Sequence, residues 1–160
     1  MFFKKNFTTI TPSEYLALQT REPRSLQTCE PSMSSWGEKG YSEVWLNRSN
    51  DYVMRHLLKT AERMIDLAGR FPNADGLLLR ALNQAAREVL LSQHSDWAFI
   101  IRNNTSASYA KRRFEEHIAR FHLLYQAIVS GNIQEKELAQ LEDRDRIFAD
   151  IDYKVYRAKK

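Results

Sequence analysis

A chain of 160 residues, 43% hydrophobic and 28% charged, has the balance of one globular domain and excludes intrinsic disorder. Its net charge of +4 is only mildly basic, so nucleic acid is not an expected partner. The single cysteine, Cys29, excludes an internal disulfide and a cysteine-built zinc site, and points to a reducing compartment, with the cytoplasm as the expected location.

In chain order, Phe7 to Ile10 reads as a short strand. Thr11-Pro12-Ser13-Glu14 follows, with Thr11 as N-cap, Pro12 at the first helical position and Glu14 completing a capping box. This predicts a short helix from Pro12 to about Gln19. A lone strand is either the last piece of a larger sheet or an extended arm. Residues 20–35, with Pro23, Pro31 and many Ser and Thr, read as a linker or surface loop. Next comes SSWGEKGYSEVWLN, where Trp36 and Trp45 flank Tyr41 on a glycine-containing connector.

From Ser49 the apolar spacing becomes helical: Val53, Leu57, Ala61, Met64, Ile65 and Ala68, stopped by Gly69 and Pro72. A second helix is predicted over Asp75 to Arg102, with Leu78, Leu82, Ala85, Val89 and Ile100 on one stripe. A third, Ala107 to Val129, carries Ala110, Phe114, His117, Ile118, Phe121, Leu124, Tyr125 and Ile128, and ends at Gly131. A fourth, shorter one runs from Gln134 into Glu142. The tail, Ile147 to Tyr156, lacks a helical period and reads as extended. The fold class is therefore mainly α, a bundle of three long helices plus a shorter one. The longest apolar run, Trp97 to Ile101, is far below the roughly 20 residues of a membrane span. The opening MFFKKNF lacks the apolar stretch of a signal peptide.

Few residues offer catalytic chemistry. His94, Ser95 and Asp96 are consecutive, and neighbours on a helix diverge by about 100°, which rules out a relay. Asp96 follows Leu78 by five helical turns, so it falls on the apolar stripe. A carboxylate there is either paired, with Arg112 or Arg113, or faces a polar cavity, because a lone buried charge costs several kcal/mol. His117 reads as a buried structural histidine; His122, five residues on, is at the wrong spacing to share a metal with it. Glu115 and Glu116 cannot face each other. Lys111, Arg112 and Arg113 form a basic run that is either a solvated face or a polyanion patch. Trp36 and Trp45 either cap the end of the bundle or offer indole faces to a sugar, with carboxylates such as Glu38 reading its hydroxyls.

SSWGEKGYSEVWLN, ALNQAAREVLLSQHSDWAFI, YAKRRFEEHIARFHLLY and IDYKVY, in that order, resemble the C-terminal helical domain of the 1,4-α-glucan branching enzymes of glycoside hydrolase family 57. The resemblance runs from TPSEYL to the tail. It implies that residues 1–20 are the last strand and helix of a (β/α) barrel, 21–48 a linker with a tryptophan segment at the active site, and 49–160 the helical domain. Family enzymes carry their catalytic Glu and Asp in the barrel, and retaining transfer needs two carboxyls about 5 Å apart. Neither motif is here, so the resemblance implies no catalytic residue, no metal, no organic cofactor and no branching activity in this chain alone. It also implies contact with an α-1,4-glucan through Trp36 and Asp96, with Trp45 as an aromatic wall and Glu38 beside them. The partner is the missing barrel domain or subunit, and the setting is glycogen- or starch-type metabolism. A natural split gene, a paralogue and a piece of a longer protein all fit. The rival reading is a non-catalytic helical adaptor that binds a protein such as a separate barrel subunit.

Overall fold

The computed structural model describes residues 8–19 and 28–158. By their contacts the residues divide into two compact units, Met1–Ser34 and Ser35–Lys160.

In the first unit, helix α1 spans Pro12–Gln19. Its capping box forms as the sequence predicts. The Thr11 N–H donates to Glu14 Oε2 at 2.7 Å, and the Glu14 N–H donates to Thr11 Oγ1 at 3.2 Å. Bonds from the Thr11 backbone and side chain hold the Glu14 carboxyl below the usual carboxylate range. Thr8–Ile10, expected as a strand, are not one. A strand needs a ladder partner, and among the described residues there is none. Phe7, and residues 20–27 of the expected linker, lie outside the described residues.

The second unit holds five α-helices among its described residues: α2 (Asp51–Arg70), α3 (Gly76–Ser92), α4 (Asp96–Asn103), α5 (Ala107–Ser130) and α6 (Glu135–Arg144). Helices α2 and α5 each bury one stripe, whereas α3 is buried on most sides from Gln84 to Val89. The main core joins Met64 and Leu67 of α2, Leu82, Ala85 and Val89 of α3, Phe121, Leu124 and Ile128 of α5, and Leu138 of α6. A second, smaller core joins Val53, Ile101, Ala110, Phe114 and Ile118, with Trp97 packed against it. Helix α5 ends on Gly131 at φ 70°; the N–H groups of Gly131 and Asn132 return to Ile128 O and Ala127 O, closing a Schellman motif.

Two expectations need correction. The helix predicted over Asp75 to Arg102 is interrupted at Gln93–Ser95 and resumes as α4. The Trp97 indole N–H donates to Leu91 O at 2.8 Å and so satisfies a carbonyl that the end of α3 leaves open. Ser95 and Asp96 are weak helix-interior formers, which favours a break at this point, although Ser95 makes no side-chain capping bond. The tail is not wholly extended either: Tyr153–Tyr156 form a 3₁₀ turn, and Tyr153 is fully buried. Arg87 donates to the carbonyls of Ile147, at 2.6 Å, and Phe148, at 3.2 Å, which fastens the start of the tail to α3.

Helices α2 and α5 are also joined by Arg63, whose guanidinium donates to His122 Nδ1 at 2.8 Å. Burial, Arg63 and His56 together push the His122 imidazole below its usual 6.5. A depressed folded pKa means that the unfolded chain takes up this proton first. The contribution is complete above pH 6.5 and is lost as pH falls through the lower folded value. His122→Gln is therefore expected to flatten the decline in urea midpoint on acidification below that pH. An unchanged slope would show that other groups govern it.

Candidate functional site: an aromatic face on helix α4

The tryptophan segment folds as two single 3₁₀ turns, Glu38–Gly40 and Ser42–Val44. Ser35 closes it: its N–H donates to Gly40 O at 2.7 Å and its hydroxyl to Tyr41 O at 2.6 Å. Glycine suits position 37 by close approach, since a Cβ there would lie a tight 3.1 Å from Val44 Cγ2 and 3.2 Å from Ser35 Oγ. Gly40 adopts φ 77°, the left-handed region.

Asn50 attaches this segment to α4. It is fully buried, and its amide N–H₂ donates to Val44 O at 3.0 Å and to Ala98 O at 3.1 Å. Its carbonyl oxygen accepts the Asn47 N–H at 2.8 Å. Three of its hydrogen-bonding positions are thus used by backbone groups, which fixes the segment against the helix.

The attachment brings three rings together. Trp36 and Trp45 lie 4.9 Å apart, edge to face, and Phe99 of α4 lies 5.6 Å from Trp36 and 6.0 Å from Trp45. Trp36 is 75% exposed and Trp45 half-buried, so neither is a core residue. Tyr41 and Leu46 are exposed in the same segment. Glu38 faces Arg102 of α4 across 3.9 Å.

Asp96 is the first residue of α4, one helical turn before Phe99. The reading of Asp96 as a carboxylate inside the apolar stripe is overturned by the break before α4. Its side chain is exposed, its backbone N–H donates to His94 Nδ1 at 3.2 Å, and neither Arg112 nor Arg113 pairs with it. Helix α4 therefore carries Asp96, Phe99 and Arg102 at three-residue spacing, and Trp36 and Glu38 reach two of them. Sequence reasoning missed Phe99 and Asn50. Both act through tertiary contacts that no spacing announces.

The basic run is divided by the fold. Arg113 turns inward to Glu116, at 3.1 Å, and to His117 Nε2, at 3.2 Å. Arg112 lies over the Tyr109 ring. Lys111 stays exposed.

His117 is buried, as its place on the stripe predicts. Its Nδ1 meets Glu88 Oε2 at 2.7 Å, and both side chains are 0% exposed. The contacts assign the tautomer: Nδ1–H donates to Glu88, and Nε2 accepts from Arg113. Gln84 also donates to Glu88, at 2.8 Å, and Arg120 bridges Asp145, at 3.1 Å, and Glu116, at 3.0 Å. Burial pushes the Glu116 carboxyl up, but Arg120 and Arg113 outweigh it and hold it below the usual range. Ligand atoms of Glu88, His117 and Asp145 fall within 4.8 Å of one another. Two guanidinium groups already occupy the space around them, so a dication would meet positive charge. The cluster is an internal ion-pair network.

Fold and face together define a helical-bundle domain with an exposed aromatic platform at one short helix. The family model described as "1,4-alpha-glucan branching enzyme, C-terminal" matches residues 56–156, and the chain belongs to that family. The 1,4-alpha-glucan branching enzyme of Thermococcus kodakarensis is 30% identical over 155 residues, 94% of this chain and 22% of that enzyme. Among solved structures, a GH57 branching enzyme from Thermococcus kodakaraensis, in complex with glucose and additives, aligns at TM-score 0.82 and 29% identity. The alignment covers 98% of this chain and 28% of that one. A GH57-type branching enzyme from Pyrococcus horikoshii aligns at 0.79 and 28% identity, over 91% and 28% of the two chains. AmyC of Thermotoga maritima, described as a novel alpha-amylase, aligns at 0.73 and 38% identity, over 98% and 28%. This chain thus spans less than a third of each of these relatives. Asp96 and Phe99 fall inside the matched family segment; Trp36 and Trp45 precede it.

Proposed function

We propose that this chain is the glucan-contacting helical domain of a cytoplasmic α-glucan branching system, acting in glycogen- or starch-type metabolism beside a barrel that carries the catalytic carboxylates. One observation supports this most: Trp36 is held with its ring largely in solvent, braced by Trp45 and Phe99. An indole so exposed gains little from burial, yet its ring contacts pre-position it, which is the condition for stacking on the apolar face of a glucose unit. Asp96 accepts hydrogen bonds from sugar hydroxyls on the same helix, and charge-assisted bonds are the stronger kind. Trp45 serves as wall, and Glu38, held by Arg102, lines the edge.

The relatives' printed names divide between branching and amylase activity. Both chemistries cleave an α-glucan and differ in whether a sugar hydroxyl or water accepts the cleaved chain. We assign branching because the matched family segment carries that description. The chain alone forms no new branches, since the paired carboxyls belong to the barrel.

In native gels containing amylopectin the protein is expected to be retarded, and Trp36→Ala to weaken the apparent affinity by about tenfold or more. Equal retardation of the variant, or none of the parent, would refute the reading. New α-1,6 branches on amylose made by this chain alone would refute the assignment of catalysis to the barrel. The adaptor reading draws on a different surface, the exposed Met54, Leu58 and Ile65 of α2. It predicts that a Leu58→Glu, Ile65→Glu variant loses a barrel partner while keeping its shift in the gel.

A further inference from the structure

One residue of the basic run remains unused by the fold or by the aromatic face. Lys111 of α5 lines an open surface cavity of about 620 Å³ together with Arg48 and Arg102. The other lining groups are Asn47, Ser49 and Asn104, with Ile101 and Ala107. No carboxylate lines the cavity. Among the described residues Arg48 and Lys111 have no ionic partner, and Arg102 has only Glu38, at 3.9 Å across solvent. Three cations facing one cavity repel each other, an arrangement that a bound anion relieves.

We propose that this cavity is a binding site for a phosphate group, either free or carried on a sugar. Two guanidinium forks and an ammonium match the several oxygens and the double charge of a phosphate better than they match a single carboxylate. The amides of Asn47 and Asn104 and the hydroxyl of Ser49 supply neutral donors and acceptors of the kind that sugar hydroxyls use. Glu38 competes with the ligand for Arg102, which links this site to the segment that holds Trp36. The site does not depend on the glucan-contacting role of Trp36, because its lining includes no aromatic residue.

The test is calorimetric titration of the whole chain, at low ionic strength, with inorganic phosphate and with glucose 6-phosphate. Saturable binding is expected, weakened about fivefold or more by Arg48→Gln or by Lys111→Gln. Glu38→Gln is expected to tighten it by freeing Arg102. All three positions are exposed, and circular dichroism checks that each variant is folded. Tighter binding of glucose 6-phosphate assigns a phosphosugar; equal affinity assigns the free ion. Absence of saturation with both ligands, or unchanged affinity in the Arg48→Gln, Lys111→Gln double variant, overturns the proposal.

Discussion

Replacing Glu88 by alanine is expected to lower folding stability by about 3–5 kcal/mol, the usual cost of breaking a buried pair from one side. Glu88 and His117 are wholly excluded from solvent and bonded at 2.7 Å. Removing the carboxylate strips the imidazole N–H of its acceptor and the Gln84 amide of its partner. It also leaves Arg113 and Arg120 in a network with one negative charge fewer. The measurement is the urea midpoint with its slope, alongside His117→Ala and the double variant. If the two changes are coupled as the geometry requires, the double variant loses far less than the sum. Simple additivity would mean that the contact contributes nothing of its own.

The second large effect is expected at Tyr153. Tyr153→Ala should cost about 3–5 kcal/mol, as for other fully buried aromatic side chains. The ring is part of the main core, and its hydroxyl donates to Phe71 O at the end of α2 and receives the Ala74 N–H at 3.4 Å. Its own N–H donates to Asn83 Oδ1 at 3.0 Å, which ties the turn to α3. Tyr153→Phe keeps the ring and loses only the hydroxyl, so about 1–2 kcal/mol is expected. Thermal unfolding of the two variants separates packing from hydrogen bonding. Similar losses in both would show that the hydroxyl bonds outweigh the ring's packing.

How far the sequence could be read depends on the kind of signal each element carries. Helix α5 was legible almost to the residue. Its apolar spacing is unbroken from Ala110 to Ile128, every residue of that stripe except Tyr125 is buried, and Gly131 stops it at a left-handed cap. The break before α4 was not read, although Ser95 and Asp96 are weak helix-interior formers, because the apolar stripe continues across it at nearly the right phase. That one oversight placed Asp96 in the core instead of on the surface. Trp36 and Trp45 were singled out by residue type alone. That they meet each other at Phe99 is a tertiary fact, and so is the burial of Asn50 within the polar run LNRSN. Glu88 lay hidden for the opposite reason. A glutamate beside an apolar stripe reads as a solvated edge until its histidine partner, 29 residues on, is seen.

The interruption after Ser92 has a practical consequence for protein engineering. The principal core draws no residue from α4, and the Trp97 indole closes the preceding helix at Leu91. The stretch from Gln93 to Asn104 can therefore serve as an exchangeable cassette. A redesigned ligand surface can be grafted there, provided Trp97, Ala98 and Ile101 are retained as its anchors.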